Sequence, residues 1–86
     1  MNYVISLGGS IINSGKINIK FLKAFRDLIL SFSKKGHRFF IVTGGGKPAR
    51  DAQAAAKSVA KITPEDLDRI GIAATKINAE LLRAIF

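Results

Sequence analysis

The stretch IVTGGGKPAR, from Ile41 to Arg50, carries a short apolar run directly into three glycines, a lysine, a proline and an arginine. An apolar run rich in branched residues that stops at a glycine is typical of a strand in a buried, parallel sheet. An alanine-rich segment, 49–60, follows, and Pro48 just before it is tolerated in the first turn of a helix. The stretch therefore predicts a strand, a glycine turn and a helix, with cations at the turn.

A similar junction lies near the start of the chain, where the mostly apolar segment Tyr3–Leu7 stops at Gly8, as Phe39–Thr43 stops at Gly44. Between these two predicted strands, apolar side chains recur at helical spacing at Phe21, Leu22, Phe25, Leu28, Ile29 and Phe32. Residues 34–36, two lysines and a glycine, predict a cationic last turn for this helix. The order predicts a βαβ unit with parallel strands and a sheet buried on both faces.

The clearest local signal begins a third helix. Thr63 is a preferred N-cap residue, Pro64 suits the first helical position, and the acids at 65 and 66 complement the helix dipole. Apolar side chains then hold helical register at Leu67, Ile70, Ala74, Ile77, Leu81 and Ile85. Gly71 interrupts this helix at a cost of about 1 kcal/mol relative to alanine. We therefore expect close helix packing or a nearby ligand at Gly71.

Composition excludes several kinds of site. The chain has no cysteine, so disulfides, thiol nucleophiles and cysteine metal sites are absent, and no metal-binding residue is predicted. The single histidine, His37, precedes an apolar run, which favours a strand-entry or surface position over a catalytic one. No apolar run approaches the roughly 20 residues of a membrane span, and no signal-peptide pattern is present. The sequence predicts a cytoplasmic protein without a membrane partner.

The net charge of +8, from 14 Lys and Arg against 6 Asp and Glu, indicates a surface that attracts anions. The cations are scattered from Lys16 to Arg83, and no aromatic residues alternate with them as in single-strand binders. Nucleic acid is therefore not predicted as the partner.

The two glycine turns are the candidate site, since ligands of open α/β sheets collect at the carboxyl ends of parallel strands. Glycine lets an anion approach backbone N–H groups, and the following helix adds positive potential. Neither turn matches the GxxxxGK[ST] phosphate loop or the GxGxxG dinucleotide fingerprint. Arg50 falls on the first turn of the helix, where its guanidinium could bind phosphate oxygens, with Lys47 as a nearby point charge. Asp68 could accept hydrogen bonds from ribose hydroxyls, or could be a surface acid.

Three segments in order carry a family resemblance: SLGGS at Ser6–Ser10, TGGGKPAR at Thr43–Arg50, and DRIGIAATKINAELL at Asp68–Leu82. Together they resemble the amino-acid kinase superfamily, most closely its archaeal-type uridylate (UMP) kinases. The resemblance implies a three-layer α/β/α fold with a parallel sheet, of which this chain would be the N-terminal part. It also implies phosphoryl transfer from ATP to UMP, with Mg²⁺, in an enzyme that is hexameric in the family.

The resemblance also implies roles for individual residues. Gly8, Gly9, Ser10, Gly45 and Arg50 would serve ATP and the transferring phosphoryl group. Gly44 and Asp68 would contact UMP, with Gly46 and Lys47 as further candidates. Many members of the superfamily carry a lysine two residues before the glycine pair, but this chain has Ser6 there, so no catalytic residue is assigned. No residue of this chain is identified as a ligand of Mg²⁺.

The chain also differs from the family in length, since family members are well over twice as long as these 86 residues. We expect residues 1–86 to be one partial amino-acid kinase domain, the N-terminal, acceptor-side portion of a larger protein, with no second domain and no activity alone. Two alternatives stay open. One is another kinase of the superfamily, acting on acetylglutamate, carbamate, aspartate or isopentenyl phosphate. The other is a non-catalytic module that binds an anion or assists assembly.

Overall fold

The computed structural model describes residues 1–86 as two strands and four helices. In chain order these are β1 Asn2–Leu7, α1 Gly9–Ile12, α2 Ile19–Ser33, β2 Arg38–Thr43, α3 Gly46–Val59 and α4 Pro64–Ile85. The predicted strands, the glycine turns and the three long helices are confirmed. The short helix α1 was not predicted, since four residues are too few for a periodic signal.

The two strands pair in parallel, from Asn2 opposite Arg38 to Leu7 opposite Thr43. Both strands therefore end at the same edge of the sheet. Gly8 and Gly44 follow the last pair directly, so the register brings the two glycine turns together. This is the arrangement that the sequence predicts for a βαβ unit.

Side-chain caps fix the starts of two long helices. The Asn18 side chain accepts from the Phe21 N–H at 3.0 Å to begin α2. Thr63 accepts from the Asp66 N–H at 3.2 Å to begin α4, as predicted. The end of α2 differs from the prediction, because the helix stops at Ser33 and Lys34 is its C-cap. Gly36, with φ of +88°, then turns the chain toward β2.

The core lies on one face of the sheet, beneath α2 and α4. Its buried side chains are Leu7, Ile12, Leu22 and Leu82, with Phe21, Phe25, Ile41, Leu81 and Ile85 packed around them. The opposite face is open, and Val4 is 75% exposed, with Phe40 and Val42 also exposed beside it. The prediction that both faces are buried is therefore wrong for these residues, because no helix covers that side.

The predicted apolar stripe of α4 consists of Leu67, Ile70, Ala74, Ile77, Leu81 and Ile85. Two neighbouring positions, 77 and 78, differ from what this stripe predicts. Ile77 is 67% exposed, so its place in the predicted stripe is wrong. Its neighbour Asn78 is instead 2% exposed and points into the structure. The other stripe positions are buried or half-buried. A polar side chain thus occupies a core position in the middle of α4.

Helices α3 and α4 pack closely where α4 carries Gly71. The Gln53 side chain donates to the Leu67 carbonyl at 2.9 Å, and a Cβ on Gly71 would lie 3.1 Å from Gln53 Nε2. The expected close helix packing at Gly71 is confirmed.

His37 immediately precedes β2 and is half-buried, with its ring centroid 5.6 Å from that of Tyr3 and 6.1 Å from that of Phe32. The predicted strand-entry position is confirmed. None of the helices combines the length and apolar character needed to cross a membrane.

Candidate functional site

The two glycine turns touch through their backbones. A Cβ on Gly9 would lie 2.6 Å from the Gly44 carbonyl oxygen and would also clash with the Gly46 nitrogen. Such distances are far inside van der Waals contact, so only glycine at position 9 allows the turns to meet this closely. The site is built at this contact, at the carboxyl ends of β1 and β2.

The three glycines of the second turn face different surroundings. A Cβ on Gly45 would meet the Ala49 Cβ at 2.6 Å and, on α4, the Ala74 Cβ and Gly71 oxygen at 3.2 Å each. Gly46 has a φ of +69°, a left-handed backbone that favours glycine. A Cβ on Gly44 would meet only the Gly9 nitrogen, at 3.8 Å. Packing and backbone geometry thus require glycine at 45 and 46, whereas the fold leaves space at Gly44.

The Gly44 carbonyl is held from two sides. The Asn78 side-chain amide donates to it at 2.8 Å, and the Thr43 hydroxyl donates at 3.3 Å. Sequence reasoning did not single out Asn78 as a site residue. The signal that could have found it is a polar residue within the apolar stripe of α4, four positions before Leu82 and four after Ala74.

The N–H groups of Gly44 and Gly45 donate to no acceptor within the chain. Both residues are half-buried, and they lie at the N-terminal end of α3, where the helix dipole adds positive potential. Unpaired N–H groups at the start of a helix favour a negatively charged ligand. The turn can therefore bind an anion such as a phosphate group.

Arg50 bridges the two turns. Its Nη2 atom donates to the Ser10 hydroxyl at 3.2 Å, so a residue of α3 contacts a residue of α1. The guanidinium is exposed and has further N–H groups to offer. The structure thus brings together Gly9, Ser10, Gly44, Gly45 and Arg50, which the sequence proposed as one site.

Lys47 lies beside this group with its charge partly engaged. Its ammonium contacts the Asp51 carboxylate at 2.7 Å, one helical turn further along α3. Its N–H donates to the Asn13 carbonyl at 3.3 Å, which ties α3 to the loop after α1. Lys47 is therefore a point charge near the turn that a neighbouring acid partly neutralises.

Two candidate residues, Asp68 and Ser6, make no contact of their own with the site in the form of a hydrogen bond or ion pair. Asp68 is exposed on α4 and takes part in no side-chain hydrogen bond or ion pair. Ser6 is exposed on β1, opposite Val42 in the sheet register. Neither side chain makes a hydrogen bond or an ion pair with Arg50 or with the glycine turns.

The site is an open surface rather than an enclosed pocket. We call this surface, formed by Gly9, Ser10, Gly44, Gly45 and Arg50, the ledge. The surface cavities are lined by other parts of the chain, and the mostly apolar cavity of about 420 Å³ lies between α2, β2 and the end of α4. No cluster of three or more His, Asp or Glu side chains is placed to hold a metal ion. Gly9, Ser10, Gly44, Gly45 and Arg50 can bind an anion from one side, and no carboxylate is among them.

Comparison with known proteins identifies relatives along almost the whole chain. The family model described as the amino acid kinase family matches residues 1–86. The chain is 43% identical over 82 residues to uridylate kinase from Thermoplasma volcanium, covering 95% of this chain and 35% of that protein. It is 39% identical over 82 residues to uridylate kinase from Methanothermobacter thermautotrophicus, with the same coverage.

A solved structure agrees with these relatives. The crystal structure of uridylate kinase from Archaeoglobus fulgidus is similar with a TM-score of 0.79 and 36% identity, over 96% of this chain and 36% of that one. This similarity confirms the predicted fold, the N-terminal part of the amino-acid kinase α/β architecture. The chain spans about a third of the length of the relatives it matches.

Proposed function

Since the chain belongs to the amino acid kinase family, we propose that it forms the acceptor-side part of a uridylate kinase, which converts ATP and UMP into ADP and UDP. Its similarity to archaeal uridylate kinases along 95% of its length supports this choice of acceptor. The observation that carries the proposal is the meeting of both glycine turns with Arg50. Together they present free N–H groups and a guanidinium on one ledge.

In this reaction an oxygen of the UMP phosphate attacks the terminal phosphorus of ATP. A new P–O bond forms, the bond from that phosphorus to the bridging oxygen breaks, and ADP leaves with the bond electrons. We assign Gly44 to the UMP side, and Gly45 and Arg50 to the phosphates between the two nucleotides. Gly9 and Ser10 face the transferring group, and Gly8 shapes their turn.

The chemical contribution of these residues is positioning and charge neutralisation rather than covalent catalysis. The free N–H groups donate hydrogen bonds to phosphate oxygens, and the Arg50 guanidinium stabilises the negative charge that these oxygens gain during transfer. Lys47 adds a weaker field, because Asp51 already neutralises part of its charge. Ser6 cannot replace the charge of the superfamily lysine, so Arg50 is the main cation of this ledge.

ATP supplies the phosphoryl group, and the ledge would hold only its phosphate end. No group of three or more acidic or histidine side chains in residues 1–86 could hold a metal ion. The same proposal assigns Asp68 to the UMP ribose and Gly46 to a further contact with UMP. It also includes a cytoplasmic location, a role in pyrimidine nucleotide synthesis and assembly into a homo-hexamer. Residues 1–86 alone are expected to bind UMP without turnover.

The test is an acceptor comparison with the protein expressed at the full length of its gene. ADP release is followed with ATP, MgCl₂ and UMP, and then with acetylglutamate, carbamate, aspartate or isopentenyl phosphate in place of UMP. We expect release with UMP only, and strongly reduced release in Arg50→Ala. Release with another acceptor and none with UMP would overturn the choice of substrate. Absence of release with every acceptor would favour the non-catalytic module.

A further inference from the structure

Asn78 is the buried polar side chain of the core, and it is aimed at the glycine turn. It is 2% exposed, and its amide donates to the Gly44 carbonyl at 2.8 Å across 34 positions of sequence. A buried amide costs free energy unless it is hydrogen-bonded, so this bond fixes both the side chain and the carbonyl it reaches. An apolar residue would fill this place in α4 at lower cost if packing were its only task.

Holding the Gly44 carbonyl also orients the next N–H group. All peptide bonds of the chain are trans, and in a planar trans peptide the C=O of one residue and the N–H of the next point in opposite directions. The Gly44 carbonyl points toward Asn78 in the buried interior. The Gly45 N–H of the same peptide therefore points away from α4, and it has no acceptor within the chain.

Because residue 44 is a glycine, the orientation of the Gly44–Gly45 peptide has to be fixed by a contact with another part of the chain. Gly44 has open space around its missing Cβ and joins two further glycines, so its backbone torsions are weakly restricted by side-chain contacts. The Thr43 hydroxyl also reaches the Gly44 carbonyl, but over 3.3 Å and from the adjacent residue. Only the bond from Asn78 ties the peptide to the rigid helix α4.

We propose that Asn78 is a positioning residue for the phosphates between the two nucleotides, of which the phosphate of the acceptor is one. It locks the Gly44–Gly45 peptide plane so that the Gly45 N–H is preorganised to donate to a phosphate oxygen. This inference rests on the proposed function, in which the turn binds the UMP phosphate. Asn78 does not touch the nucleotide itself and acts through the backbone.

The chain offers a matched control in Gln53. Its side-chain amide also donates to a backbone carbonyl of α4, that of Leu67, at 2.9 Å, and it also joins two elements across the fold. The variants Asn78→Asp and Gln53→Glu each replace an amide NH₂ by an oxygen that cannot donate when ionised. Both lose one hydrogen bond to a carbonyl, but only Asn78→Asp releases the glycine turn.

The experiment measures UMP affinity by calorimetry, with the protein at the full length of its gene, for the unmodified form and both variants. We expect Asn78→Asp to weaken UMP binding about tenfold or more, and Gln53→Glu to leave it unchanged. In ¹⁵N-labelled protein, the Gly45 N–H signal should shift in Asn78→Asp and stay in place in Gln53→Glu. Equal losses of affinity in the two variants would overturn the inference and leave the proposed function intact.

A second measurement needs no variant and covers the case in which Asn78→Asp does not fold. Hydrogen exchange at the Gly45 amide of the unmodified protein should slow when UMP saturates the site. An unchanged exchange rate at Gly45 in the UMP complex would overturn the inference. Failure of the unmodified protein to bind UMP at all would instead overturn the proposed function, and this inference with it.

Discussion

Arg50 donates to the Ser10 hydroxyl at 3.2 Å although forty positions of sequence separate the two residues. The contact joins the helix after one glycine turn to the short helix after the other. It brings the guanidinium to Ser10, the residue next to Gly9, whose backbone meets that of Gly44. The ledge is therefore a single site made of two turns, and its parts can be tested one at a time.

Replacing Arg50 by alanine should weaken UMP binding by about 1.5–3 kcal/mol, the usual value of a hydrogen bond to a charged group. Arg50→Lys should recover only part of this loss, because an ammonium lacks the planar fork of the guanidinium. Calorimetric titration with UMP measures both. The control is Arg69→Ala, which removes an exposed arginine paired with Asp66 on α4 and should leave UMP affinity unchanged. Equal affinities for Arg50→Ala and the unmodified protein would contradict the assignment of Arg50.

Gly9 and Gly8 are neighbours with opposite tolerance for a side chain. Gly9→Ala should destabilise the fold by about 1–3 kcal/mol or more, because its Cβ would overlap the backbone of the second turn. Gly8→Ala should be tolerated, since the nearest atom to its Cβ is a flexible Ile11 carbon at 3.7 Å. Thermal unfolding of the two variants measures the difference. Similar midpoints would show that the turns do not meet as closely as described.

Alanine variants of Gly44 and Gly45 should distinguish an effect on UMP binding from an effect on folding stability. Gly44→Ala should keep the stability of the parent, because the new Cβ has no neighbour closer than 3.8 Å, but should weaken UMP binding by occupying the ledge. Gly45→Ala should lose stability, because its Cβ would lie 2.6 Å from the Ala49 Cβ. Urea unfolding and UMP titration together check both. A stable Gly44→Ala variant with full UMP affinity would remove Gly44 from the site.

Removing the Asp51 charge should free the Lys47 ammonium. We expect Asp51→Asn to tighten UMP binding by about 0.2–1 kcal/mol, the value of an exposed ion pair, and the gain to fade as salt is added. The matched control is Asp66→Asn, which releases Arg69 on the surface of α4 and should not alter affinity. Weaker binding in Asp51→Asn would mean that Lys47 must be held by Asp51 to act.

The N-cap of α4 is a test of stability without a binding effect. Thr63→Ala should lower the free energy of unfolding by about 1 kcal/mol, because the Asp66 N–H loses its acceptor. Ser58→Ala is the control, since it also removes a hydroxyl hydrogen bond, to the Ala54 carbonyl, but caps no helix. Urea unfolding should show a loss for the first variant and none for the second. Equal losses would count against the cap.

Much of the fold was predictable because its signals are local. Short apolar runs that stop at glycine fix the two strands, and Thr63 with Pro64 fixes the start of α4 through contacts within one turn. The cap of α2 by Asn18 and the short helix α1 are also local, but they carry no apolar periodicity and were missed. The candidate site was predictable as a pair of glycine turns, since parallel strands end at the same edge of a sheet.

The sequence by itself determined the order of elements, the two glycine turns and the cations placed beside them. Tertiary structure alone decided that Gly45 is confined by α4, that Gly44 is open, that Asn78 rather than Ile77 is buried, and that the face carrying Val4 is uncovered. The physical reason is the separation along the sequence over which each kind of interaction acts. Propensity and capping act within a few residues, whereas these outcomes depend on which helix packs against a turn tens of positions away, and a pattern of residue types does not encode that choice.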